Sequence, residues 1–173
     1  MKRIIISLLL SLTLLNNVSA QEVFKAILDK AKSTVESPSS SDMQKRYNQF
    51  KVDALTYMAM MMRKEMPDSS ATILDRQAMA LNDFVSLYIS TLLEYRDAIQ
   101  KDQIEIINLF MDASFSNPLF NDTDKDVILG YFASGDSLTR FSLDTDWQRA
   151  VLAANSQPRP ETVETSAAAT TSR

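Results

Sequence analysis

Apolar side chains recur through much of the chain at alternating steps of three and four residues, the spacing that puts them on one face of a helix. In the first such stretch, Glu22 to about Glu36, Phe24, Ile27, Leu28, Ala31 and Val35 share a face. Ser37–Ser41 reads as a loop, and Ser41 can cap a second helix from Asp42 to about Met66. On it Met43, Tyr47, Phe50, Ala54, Tyr57 and Met61 follow the same rhythm until Pro67 stops the helix. Thr72 with Asp75 resembles a capping box for a third helix. There Leu74, Ala78, Leu81, Val85, Tyr88, Leu92, Tyr95 and Ile99 keep a 3.5-residue repeat. Ile73, Ala80, Phe84, Leu87 and Ile89 widen that stripe beyond a two-strand seam, which predicts a bundle core. The repeat meets Asp102 and resumes at Ile106, Leu109 and Ala113, so the helix either bends or is capped at Asp102, or runs on to about Ser114. The second and third helices are expected to form an antiparallel hairpin about 40 Å long at 1.5 Å per residue.

The last third of the chain is built from shorter pieces. Asn117-Pro118 breaks the pattern, and Leu119-Phe120 is an apolar pair expected to tuck inward. Thr123 can cap a short helix from Asp124 to about Ala133, closed by Gly135. Leu138, Phe141 and Leu143 follow in a tight connector. Thr145 can cap a final helix, Asp146–Ala154, with Trp147, Ala150, Val151 and Ala154 on one side. Residues 156–173 hold mostly Ser, Thr, Ala and Pro, with Val163 as the one large apolar group, and are expected to be a disordered tail. Two glycines in 173 residues, and no Asn-Gly, Asp-Gly or Gly-Gly turn, argue against a sheet. The fold class expected is all-α: a bundle of five or six helices, residues 21–155, around the long hairpin.

The first twenty residues follow a different logic. Lys2 and Arg3 precede a run from Ile4 to Leu15 too short for an ordinary membrane span. Val18-Ser19-Ala20 then places small residues before a cut at Ala20–Gln21. This is the layout of a secretory signal peptide, the alternative being an uncleaved N-terminal anchor. Removal would take two basic residues from a chain of net charge −4 and leave −6. An exported chain with no cysteine fits a bacterial periplasm or cell surface. The stretch Asn117-Pro118-Leu119-Phe120-Asn121-Asp122 through Phe141-Ser142-Leu143-Asp144-Thr145-Asp146-Trp147 resembles the C-terminal part of small exported all-helical proteins of Bacteroidota-type bacteria. That group has no assigned activity, so the resemblance implies origin and localisation and transfers no catalytic residue. Asp136-Ser137-Leu138 likewise resembles a short O-glycosylation acceptor, although a turn after Gly135 explains it as well.

Composition narrows the chemistry. With no His and no Cys there is no Ser-His-Asp triad, thiol nucleophile or His-ligated metal. The acidic balance argues against a nucleic-acid partner. Asp122, Asp124 and Asp126 open like a calcium loop, but Val127 and Ala133 occupy positions where an EF-hand needs Gly and Glu, so helix capping is the preferred reading. Met58, Met60, Met61, Met62 and Met66 crowd nine residues, and Met58, Met62 and Met66 share a face. Core packing is the first reading of that run; an adaptable partner surface on Met58, Met62 and Met66 is the second, and a thioether Cu(I) site the third. Glu65, Asp75, Glu94 and Glu105 could be nominated as a hydrolytic carboxylate pair, yet nothing selects two of them.

The sequence thus points to an exported, monomeric, non-enzymatic helical interaction protein of the bacterial envelope with no cofactor. Its partner would be a protein or an envelope component met by a helix face. The alternatives are a carboxylate-based hydrolase acting on an envelope or sugar substrate, and a Met-based metal carrier.

Overall fold

The computed structural model describes residues 22–67, 71–115 and 140–160. It is an all-α bundle with five helices and no strand among the described residues: α1 (Glu22–Glu36), α2 (Asp42–Glu65), α3 (Ala71–Glu94), α4 (Gln100–Phe115) and α5 (Trp147–Ser156). The segment expected to be a signal peptide, the Asp122–Asp126 cluster, the helix expected from Asp124 and the expected turn or acceptor at Ser137 lie outside the described residues. No described helix is long and apolar enough to cross a membrane. The chain divides into two compact units, residues 1–79 and 80–173, with the division falling within α3.

In the first unit α1 packs along α2. Ser41 caps α2 as expected and forms a full capping box: its hydroxyl accepts from the Gln44 N–H at 3.3 Å, and the Gln44 side chain accepts from the Ser41 N–H at 2.9 Å. Two donors that a helix start otherwise leaves without partners are satisfied reciprocally. The core side of α2 carries Phe50, Ala54, Leu55, Tyr57, Met58, Met61 and Met62. Met43, the first residue of the expected stripe, is 57% exposed, because periodicity identifies the apolar face but not how far a neighbouring element covers it. At the start of α3 the Asp75 carboxylate accepts from the Phe24 N–H at 2.9 Å, capping the first turn of α1 from 51 residues away.

The second unit is organised by rings. Phe84 meets Phe110, Phe141 and Trp147 at centroid separations of 5.4, 5.3 and 5.3 Å. Tyr88 meets Phe110 and Phe141 at 5.1 and 5.0 Å. Phe84–Trp147 is tilted; the other four pairs are edge-on, setting one ring's positive rim against its neighbour's negative face. α4 packs on α5, and Phe141 and Leu143 of the connector are buried, Leu138 lying outside the described residues.

α3 ends at Glu94, earlier than the repeat implies. Tyr95 keeps its inward place at 3% exposure, while Ile99 falls in the following turn and is 66% exposed. The turn contains neither Gly nor Pro. The Gln103 side-chain amide makes it possible by donating to the Arg96 and Ala98 carbonyls at 2.9 and 3.0 Å, two groups a continuous helix would have bonded internally. α4 restarts on the Ile99 carbonyl, which accepts from the Asp102 and Gln103 N–H groups. Asp102 therefore sits in the first turn of α4 rather than at a cap or bend, where its charge suits the helix dipole.

A buried hydroxyl circuit fastens the 141–146 connector to α4. Ser114 Oγ accepts from the Ser142 N–H at 2.7 Å and lies 3.1 Å from Thr145 Oγ1, to which it can donate. Thr145 Oγ1 lies 2.6 Å from both the Ser114 and Ser142 carbonyls and can donate its proton to either. The Ser142 hydroxyl donates to Asp144. This circuit corrects the assignment of Thr145 as a helix cap: Asp146 caps α5, accepting from the Arg149 N–H at 3.3 Å, and Thr145 turns inward. Thr145→Val should cost about 2–3 kcal/mol in urea unfolding without loss of fold, since it strips a donor from buried carbonyls. The same change at Thr91 should be neutral or stabilising by up to about 1 kcal/mol. The Thr91 hydroxyl is buried with no hydrogen-bond partner among the described residues, so Val removes a desolvated polar group and keeps the shape.

Residues 161–173 of the expected tail lie outside the described residues, while its first five, 156–160, are placed. Ser156 still belongs to α5, and Pro160 is held by the Tyr95 hydroxyl, which donates to its carbonyl at 2.5 Å. Arg159 adds an ion pair to Glu94 at 3.7 Å. A buried tyrosine hydroxyl needs an acceptor, and that requirement orders a Pro-flanked segment whose composition alone argues for disorder.

Candidate functional site

The C-terminal end of α2, the start of α3 and Phe24 of α1 enclose a half-open cavity of about 190 Å³ in the first unit. Phe24, Met62, Met66 and Leu74 supply its apolar wall, and Arg63 is the one charged lining residue among the described residues. The geometry follows from local chemistry. Pro67 follows the end of α2, so Met66 leaves the helix with a non-helical backbone at the cavity edge, its N–H still donating to the Met62 carbonyl. The Asp75–Phe24 bond holds the first turn of α1 against α3, which brings the Phe24 ring to the opposite wall. Arg63 is exposed and forms no ion pair among the described residues, whereas its neighbour Lys64 lies 3.5 Å from Glu65.

This arrangement resolves the methionine run residue by residue. Met58 is fully buried and Met61 is 2% exposed, so both are core. Met60 is 49% exposed on the outer side of α2. Met62 and Met66 line the cavity, Met62 nearly buried and Met66 half-buried. Of the three residues expected to share a partner surface, Met58, Met62 and Met66, the structure brings Met62 and Met66 together at the cavity and encloses Met58 behind them. A shared face on a helical wheel does not decide depth, because a residue nearer the middle of a helix meets more neighbours than one at its end.

The four nominated carboxylates go to separate partners. Glu65 pairs with Lys64, Asp75 with the Phe24 N–H, Glu94 with Arg159, and Glu105 with Lys101 at 3.6 Å. Among the described residues no three acidic side chains converge as a metal site would require. The Ser114 and Thr145 hydroxyls are fully enclosed and bonded to each other and to the backbone around them, and the Ser142 hydroxyl is bonded to Asp144, so they serve packing rather than a ligand. Sequence reasoning passed over Phe24 and Arg63. Phe24 read as one more residue of a core stripe, and Arg63 as one more charge in a last helical turn. The signal available was the arginine immediately beside a methionine run and a helix-stopping proline.

No protein family, curated protein or solved structure matches the chain.

Proposed function

We propose that the protein is an exported, non-enzymatic helical interaction protein of the bacterial envelope, and that its partner engages the cavity at the end of α2. The observation that carries this reading is the cavity itself: a preformed apolar recess walled by Met62, Met66, Phe24 and Leu74 beside an exposed cation. Thioether side chains adapt their shape to what they contact, which suits a recognition surface. Its volume lies below the roughly 300–1,000 Å³ usual for small-molecule sites, which favours a protruding group of a larger partner. The signal-like segment ending at Ala20 supports export, as does the resemblance to exported Bacteroidota-type proteins. Neither the hydrolase nor the metal-carrier alternative has a comparable observation in its favour.

Two measurements test this. The mass of the protein recovered from its native compartment should correspond to a chain starting at Gln21; a chain retaining residues 1–20 in the membrane fraction refutes export by cleavage. A photo-crosslinking residue placed at Met66 should give one reproducible adduct in envelope extract. The same residue at Leu152, which is 69% exposed on α5, should not. Equal labelling from both positions would dissociate the cavity from any partner.

A further inference from the structure

We infer that the cavity receives the C-terminal residue of a partner polypeptide, its large apolar side chain inserted between Met62, Met66, Phe24 and Leu74 and its terminal carboxylate on Arg63. The inference rests on the proposed interaction role and names the chemistry of the partner. Size sets the first constraint. A dry cavity of about 150 Å³ accommodates one benzene ring, so about 190 Å³ accommodates a single Leu, Met or Phe side chain and not a helix face or a long acyl chain.

Charge sets the second. Among the described residues the lining offers one ionic group, Arg63, and that group is a cation in a protein with 22 acidic and 18 basic residues. Arg63 is exposed and makes no ion pair among the described residues; of the described carboxylates nearby, Glu65 pairs with Lys64 and Asp75 accepts from the Phe24 N–H. Guanidinium groups bind carboxylates through two parallel hydrogen bonds, a geometry that a chain terminus presents without obstruction. One apolar recess beside one cation matches a unit with one apolar side chain and one carboxylate, which is the form of a C-terminal Leu, Met or Phe.

Fluorescence anisotropy with short labelled peptides tests this on the intact mature chain. A peptide ending in Ser-Ala-Leu with a free carboxylate should bind, and the same peptide with a C-terminal amide should bind roughly three- to tenfold more weakly. Arg63→Gln should weaken the carboxylate peptide by a similar factor and leave the amide peptide unchanged, and Arg63→Lys should restore part of the difference. Because Arg63 is exposed, these variants keep the fold, which circular dichroism verifies. Equal binding of acid and amide peptides, binding indifferent to Arg63, or no binding at millimolar peptide would each overturn the inference. So would 4-methylpentanoate binding as tightly as the peptide, since a free acid would then be the occupant. If the peptides fail while Met66 still crosslinks one partner, the interaction role stands and only this chemistry is wrong; if both fail, the role falls with it.

Discussion

Leu81→Asp should abolish the cooperative fold. Leu81 is completely enclosed in the middle of α3, between Ala78 and Val85, which are also fully buried. An aspartate there would be ionised without a partner, or neutral only at a large cost in proton affinity, and either state costs several kcal/mol. A domain of ordinary stability holds about 5–15 kcal/mol in reserve, so the variant should lose most of its helical signal at 25 °C or melt many degrees lower. Leu81→Met, which conserves volume, should cost less than about 1.5 kcal/mol and shows whether side-chain shape alone matters. The same variant separates two explanations of the long apolar repeat. A single chain already encloses the stripe from Leu74 through Tyr88 and again at Tyr95. If sedimentation instead found a parent dimer that Leu81→Asp turned into a folded monomer, the stripe would be an interface between copies and this packing would be wrong.

Phe84→Ala should be the most damaging cavity-forming substitution in the second unit, at about 3–5 kcal/mol. Phe84 touches three other rings within 5.4 Å, so its removal both empties a volume and deletes ring-edge contacts to Phe110, Phe141 and Trp147. The readout is internal. Trp147 is the sole tryptophan and is fully buried, so its emission reports the environment of this cluster. Denaturant unfolding followed by that emission should shift to a lower midpoint with little change in slope. A double-mutant cycle between Phe84→Ala and Phe110→Ala should give a coupling of at least about 0.5 kcal/mol, whereas Phe84→Ala and an exposed change such as Leu152→Ala should be additive. Additivity in the first pair would mean that the rings act as independent apolar volumes.

Much of the fold was legible from spacing alone. The limits of the first two helices, the Ser41 cap and the buried positions Ala78, Leu81, Val85, Tyr88, Ile106, Leu109, Ala113, Trp147, Ala150 and Ala154 all followed from rules that operate within a few residues. The misreadings share one cause. Thr145 before its helix and the repeat running on to Ile99 each satisfied a local pattern, and each was overruled by a partner elsewhere in the chain or by a side chain without a consensus spacing. Asp75 bonds a donor 51 residues away, Thr145 an acceptor 31 residues away, and Tyr95 an acceptor 65 residues away.

The cavity was less legible than the core. Its methionines stood out, but its other elements did not: Phe24 belongs to a different helix, and Arg63 gains meaning only from what lies beside it. By itself the sequence determined the fold class, the faces of the helices and most of the buried set, because each depends on periodicity and capping within one helix. Only the tertiary structure decided which of two helical residues is core and which lines a recess, where an unbroken pattern turns, and which polar group satisfies which. Those outcomes depend on the depth and reach of neighbouring elements, and depth is a property of the packed chain that a one-dimensional pattern does not encode.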